Sequence, residues 1–158
     1  MSERPYVAVC GAGQATEQEA EWAEEVGRLL ADAGAVLVCG GLGGVMDAAA
    51  RGAASAGGAS VGILPGETRR GSSLHLTVAL PTALGEARNA LVVRAADAVI
   101  AIGGEFGTLS EIALAVKIGK PVVGIGTWEL SKHGEPVYAI DRASSPADAV
   151  AKALARIV

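Results

Sequence analysis

The sequence predicts an α/β protein: a single domain over residues 1–158, built on one doubly wound parallel sheet of about six to seven strands with helices on both faces. Three observations point there. Short β-branched apolar runs alternate with longer segments of helical period. The strand runs are almost continuously apolar rather than alternating, as in a sheet covered on both sides. No linker, charge block or internal repeat divides the chain.

Tyr6–Cys10 predicts the first strand. Thr16 followed by Glu19 has the form of a capping box, so a helix is expected over Thr16–Ala33. Its apolar stripe is Trp22, Val26, Leu29, Leu30 and Ala33, and Gly34 stops it. Val36–Cys39 is a second strand, followed by Gly40–Gly44 and an Ala-rich helix to about Ala56. Ser60–Leu64 is a third strand, Pro65–Ser73 a loop and Leu76–Leu80 a fourth strand. A helix is expected over Leu84–Ala95, a strand over Ala98–Ile102, a helix over Thr108–Ile118 and a strand over Val122–Ile125. Tyr138–Ile140 reads as a short edge strand. Ser145, Pro146 and Asp148 combine an N-cap, a proline at the first helical position and an acid in the first turn, so a last helix runs to Arg156.

Composition excludes several classes. The chain has 158 residues, of which 32 are Ala and 22 are Gly, and only five are aromatic: Tyr6, Trp22, Phe106, Trp128 and Tyr138. An apolar fraction of 51% is too high for disorder. Charged residues, 13 basic and 17 acidic, interrupt every stretch long enough to span a bilayer, so no membrane association is expected. Met1–Pro5 lacks the layout of a signal peptide. A net charge of −4 and the absence of a basic stripe argue against nucleic acid as partner. The one basic pair, Arg69-Arg70, reads as a solvated loop or a phosphate clamp. Cys10 and Cys39 lie far apart without metal-ligand spacing, which predicts reduced thiols in strands, a cytoplasmic location and no metal site.

The chemistry is expected at the glycines. Gly11/Gly13, Gly40–Gly44 and Gly103–Gly107 each follow a strand, and in a parallel sheet all three clusters lie along the carboxyl edge, where ligands bind. They either make tight turns or let a backbone approach an anion at a helix N-terminus. Gly11-Ala12-Gly13-Gln14-Ala15-Thr16 lacks the third glycine of a dinucleotide fingerprint, and no Walker lysine motif occurs. His75 and His133 lie near loops without nucleophilic partners. Glu111 stands three residues after Thr108 at a helix start. It is either the last member of a capping box or a carboxylate beside a phosphate or sugar site. Arg88 shares a helical face with Leu84 and Leu91, so it is expected to point partly inward and to meet an acid or a phosphate.

Gly40-Gly41-Leu42-Gly43-Gly44-Val45-Met46-Asp47, then Ala87-Arg88-Asn89, then Gly103-Gly104-Glu105-Phe106-Gly107-Thr108-Leu109-Ser110-Glu111 resemble the Lonely Guy (LOG) superfamily, once labelled "possible lysine decarboxylase". The resemblance spans about Val7 to Val123. It implies a Rossmann-like nucleotide-binding fold and a phosphoribohydrolase that cleaves a nucleoside 5′-monophosphate into base and ribose 5-phosphate. Arg88 and Glu111 would be catalytic. Gly11, Gly13, Gly41, Gly43, Gly44, Met46, Asn89, Gly103, Gly104, Glu105, Phe106, Gly107 and Thr108 would bind ligand or phosphate. Gly103 and Glu105 replace the family motif's Pro and second Gly, Asn89 replaces a Lys, and Ser110 replaces an acid.

The run Gly107–Ala115 is similar to a small branch of the superfamily that includes the molybdenum-cofactor carrier proteins. That likeness implies the alternative: a carrier or sensor of a phosphorylated ligand such as the molybdenum cofactor, bound as cargo, with no cofactor required for catalysis. A decarboxylase would need a pyridoxal-phosphate lysine, and Lys117, Lys120, Lys132 and Lys152 fall in or beside surface elements. The resemblance also implies a homodimer or homotetramer, packed through the Ala-rich helices 84–95 and 108–118. A related fold occurs in DNA-uptake proteins, a function the acidic balance disfavours.

Overall fold

The computed structural model describes residues 3–158; Met1 and Ser2, part of the segment read for a signal peptide, lie outside the described residues. The strands are β1 (Tyr6–Gly11), β2 (Val36–Cys39), β3 (Ser60–Leu64), β4 (Val78–Pro81), β5 (Ala98–Ile102), β6 (Val122–Ile125), β7 (Leu130–Lys132), β8 (Glu135–Val137) and β9 (Asp141–Arg142). The helices are α1 (Glu17–Asp32), α2 (Val45–Ser55), α3 (Asn89–Ala95), α4 (Phe106–Lys117) and α5 (Pro146–Ala155). Seven strands form one sheet in the order β4-β3-β2-β1-β5-β6-β9, and every pair in it is parallel. The fold is Rossmann-like, as predicted. The chain steps outward from β1 through β2, β3 and β4, then returns to place β5 on the other side of β1. The strand order therefore reverses at β1/β5, and a crevice opens outside their carboxyl ends.

The two faces of the sheet carry separate cores. Val7, Val9, Leu37, Ile100, Ile102 and Val123 meet α1, α2 and α5 on one face. Ala8, Cys10, Val38, Val99 and Ala101 meet α3 and α4 on the other. The α1 capping box forms as predicted: Thr16 Oγ1 accepts from the Glu19 amide at 3.1 Å, and Glu19 Oε2 accepts from the Thr16 amide at 3.1 Å. Ser145 likewise accepts from the Asp148 amide and opens α5 over Pro146.

Four local expectations are corrected. The helix expected over Leu84–Ala95 begins as a 3-10 turn, Gly85–Arg88, because Ala83 and Gly85 both have positive φ and break the approach. The edge strand expected at 138–140 forms instead at β9, pairing Val123 with Asp141 and Gly124 with Arg142. Before it comes an unexpected hairpin, β7–β8, closed by His133 and Gly134, both at positive φ as a tight hairpin turn requires. Finally, α4 starts at Phe106, not Thr108. Gly103 and Gly104, at φ +53 and +96, turn the chain early, and Glu105 is the N-cap. Thr108 and Glu111 therefore lie inside the helix, and the Thr108–Glu111 capping box does not form.

Candidate functional site

A half-open cavity of about 460 Å³ occupies the β1/β5 crevice. Each wall follows from the topology. β1 ends in Val9 and Cys10 and passes into Gly11–Gln14; Gly40 follows β2; Met46 stands in the first turn of α2; Arg88 and Asn89 sit where the 3-10 turn becomes α3; Glu105, Gly107, Thr108 and Glu111 come from the β5–α4 turn and the first two turns of α4.

The cavity floor is polar. Glu111 is only 8% exposed, and its Oε2 accepts from the Cys10 thiol at 3.1 Å, across the β1–α4 contact. Burial pushes the Glu111 carboxyl up from its ordinary range, while the Cys10 hydrogen bond and the nearby Arg88 cation pull it back in part. Burial, and then the neighbouring Glu111, hold the Cys10 thiol well above its usual value, and burial lifts Cys39 to about 11. Both cysteines are free and buried, and both lie in strands as predicted, Cys10 in β1 and Cys39 in β2. Neither thiol is an activated nucleophile, because a thiolate needs a lowered pKa.

Arg88 reaches the cavity by leaning across it. Nη2 donates to the Gly40 carbonyl at 3.4 Å, and Nη1 donates to Asn89 Oδ1. The face it shares with Leu84 and Leu91 is not an inward one, since those residues are 50% and 39% exposed. Arg88 Nε is buried with no hydrogen-bond partner. Arg88 itself lines the cavity, so its cation is close to any anion held there, while the Nε–H is a buried donor that the fold leaves unsatisfied.

Of the residues the sequence singled out, Gly11, Gly13, Met46, Arg88, Asn89, Glu105, Gly107, Thr108 and Glu111 converge on the cavity. Gly41, Gly43, Gly44, Gly103, Gly104 and Phe106 are not among its lining residues. Several glycines serve packing instead. A Cβ at Gly44 would stand 2.2 Å from the Ala12 carbonyl oxygen, and one at Gly41 would stand 2.6 Å from Leu64. Gly40 admits Arg88 and Met46, whose atoms would lie 2.7 Å from a Cβ there. Gly103 and Gly104 line a neighbouring cleft that shares Glu105 with the main cavity. Cys10 was passed over as a site residue because a thiol inside a strand run carries no local signal; only the sheet brings it to Glu111. No lysine lines the cavity, so the pyridoxal-phosphate chemistry of a decarboxylase has no anchor there. Among the described residues, no group of three His, Cys, Asp or Glu side chains is arranged to hold a metal. No helix among them is long and apolar enough to cross a membrane.

A Rossmann-like sheet with a ligand-sized cavity at its switch point is an architecture suited to hold a small ligand. The chain belongs to the SLOG cluster4 family, whose model matches residues 4–153. It is 44% identical over 119 residues to an uncharacterized protein of Archaeoglobus fulgidus, covering 75% of this chain and 78% of that one. Its structure is similar to the molybdenum cofactor binding protein of Rippkaea orientalis, with a TM-score of 0.89 and 34% identity over 100% of both chains. It is similar also to the molybdenum cofactor carrier protein of Chlamydomonas reinhardtii, with a TM-score of 0.85 and 32% identity over 98% of this chain and 100% of that one. DNA processing protein A of Helicobacter pylori, a single-stranded DNA binder, matches at a TM-score of 0.73 and 20% identity, over 98% of this chain and 82% of that one. At that identity the likeness shows the shared fold alone.

Proposed function

We propose that residues 1–158 form one binding unit that holds a small phosphorylated ligand in the β1/β5 cavity as a carrier or sensor, with the molybdenum cofactor as cargo and without turnover. The observation that carries this reading is the full-length likeness to two molybdenum cofactor proteins. The cavity supports it from below. Arg88 lines it with a cation, and the first turn of α4 offers amides that no described residue caps with a side chain. The acidic balance of the chain favours a small ligand over a nucleic acid backbone. The test is thermal melting with molybdenum cofactor released from a molybdoenzyme. A rise in Tm is expected, about 2.7 kcal/mol of stabilisation at a hundred times Kd. No shift at saturating ligand overturns the reading.

The LOG-type reading, hydrolysis of a nucleoside 5′-monophosphate, keeps one observation in its favour: Arg88 and Glu111 line the same cavity. A buried carboxyl whose pKa is raised by burial is suited to give a proton to a leaving base or, ionised, to face developing positive charge on a sugar. Incubation with AMP, GMP, CMP and UMP, followed by chromatography for free base, separates the two. The carrier reading expects intact nucleotide; base released in proportion to enzyme and lost in Glu111→Gln would establish hydrolysis. We also infer a homodimer or homotetramer, to which the half-exposed Leu84 and Leu91 contribute, and sedimentation equilibrium checks it.

A further inference from the structure

Phe106 is 74% exposed, an unusual position for the chain's only phenylalanine. Its ring pairs with that of Trp128, centroids 5.4 Å apart and tilted by 43°. The Trp128 side of the pair is tied to the fold. Trp128 Nε1 donates to the Glu105 carbonyl at 3.2 Å, and Thr127 Oγ1 donates to the Gly103 carbonyl at 2.6 Å, so the loop after β6 is tied to the β5–α4 turn. Gly126, at φ +55, closes against the Trp22 ring. Beside this platform lies a second cleft of about 320 Å³ that includes Trp128 and shares Glu105 with the Arg88 cavity. Glu105 is exposed, and its carboxylate meets no cation within salt-bridge distance among the described residues.

An exposed aromatic pair beside an unpaired carboxylate, next to a cleft that shares Glu105 with the Arg88 cavity, is a complementary setting for a flat heterocycle. The carboxylate has two acceptor oxygens and no donor, so it pairs with adjacent N–H groups. A 2-amino-4-oxo ring, as in guanine or a pterin, presents a ring N–H beside an exocyclic amine. Adenine presents an acceptor beside its amine and leaves one carboxylate oxygen unmet.

We propose that Phe106, Trp128 and Glu105 form a heterocycle subsite for a 2-amino-4-oxo ring, joined through Glu105 to the cavity that takes the ligand's phosphate. This inference rests on the reading of the Arg88 cavity as a phosphate site. Titration calorimetry of the intact protein with GMP, neopterin monophosphate, AMP and inorganic phosphate tests it. GMP or neopterin monophosphate is expected to bind at least about tenfold tighter than AMP, since one charged hydrogen bond separates them. The tighter of the two identifies a purine or a pterin as the source. Phe106→Ala is expected to weaken the preferred ligand at least about fivefold while inorganic phosphate stays within about twofold, and Phe106→Trp to restore it. Glu105→Gln is expected to erase the preference over AMP.

Unchanged affinity in both Phe106→Ala and Trp128→Ala, with phosphate still bound, overturns the subsite and leaves the phosphate reading standing. So does a wild type with equal affinity for AMP and the 2-amino-4-oxo ligands. A change of assembly state in gel filtration at unchanged ligand affinity would make the pair an interface and likewise overturn the proposal. If the wild type binds none of the four probes, the phosphate reading falls and the subsite falls with it.

Discussion

The two faces of the sheet are built to opposite ends. On the α1/α2/α5 face, helices approach until backbones touch. A Cβ at Gly27 would lie 2.0 Å from the Ala49 carbonyl oxygen, and one at Gly52 would lie 1.9 Å from that of Glu24. Small residues there bring the helix backbones into contact around a core of Val, Leu, Ile and Ala, with Ser60, in register with Leu37, buried at its β3 side. On the α3/α4 face, a carboxylic acid, a thiol and a threonine are buried, and the carboxyl edge stays open as a cavity. One face is a sealed structural wall. The other accepts polar burial, which destabilises a fold unless a partner or ligand answers it.

The contrast is broken most severely on the sealed side. Gly52→Val is expected to force α1 and α2 apart at a loss of about 3 kcal/mol or more, since no flexible side chain stands in the way to yield. That lowers Tm by roughly 6 °C or more, measurable by calorimetry. On the open side, Glu111→Gln works in the opposite direction. The folded-state pKa of Glu111 lies above its ordinary value of 4.5, so the folded protein holds its proton to higher pH than the unfolded chain. Stability therefore falls as pH rises through the folded pKa, and the glutamine variant, with no proton to lose, escapes that fall. Urea midpoints from about pH 4.5 to neutrality are expected to diverge in favour of Glu111→Gln; parallel curves would show the carboxyl to be ordinary.

Thiol labelling sharpens the same comparison. With Cys39 at about 11 and Cys10 raised well above its usual value, iodoacetamide at neutral pH is expected to leave both unmodified until denaturant is added, as read by mass spectrometry. The smallest effect belongs to Gly107→Ala in the first turn of α4. Nothing lies within 4 Å of a Cβ there, so stability should hold or rise slightly, by about 0.5–1 kcal/mol of helix propensity at most, read as an unchanged or slightly higher Tm.

The sheet was legible because parallel strands buried on both faces leave long apolar runs, such as Val36–Cys39 and Ala98–Ile102. The β7–β8 hairpin was not, because three-residue strands with exposed side chains show no period. Thr108 and Glu111 imitate a capping box, yet the left-handed glycines upstream decide where α4 begins. Arg88, expected to point inward and meet an acid or a phosphate, comes to the strand edge by reaching the Gly40 carbonyl and Asn89 rather than from a buried helical face. The glycine excess divides in a way that sequence cannot show: Gly13 and Gly107 border open space, whereas Gly41 and Gly44 relieve backbone contacts. The Cys10–Glu111 bond joins residues 101 apart and exists only once β1 and α4 meet.

The central claim is that Arg88 anchors an intact phosphorylated cargo in the β1/β5 cavity. It is tested most directly by loading wild type and Arg88→Ala with cofactor released from a molybdoenzyme and measuring protein-bound molybdenum after gel filtration. The account predicts molybdenum eluting with the wild type and at least about tenfold less with the folded Arg88→Ala variant, the loss expected for a charge-assisted contact. Equal molybdenum on both proteins, or none on either, would contradict it.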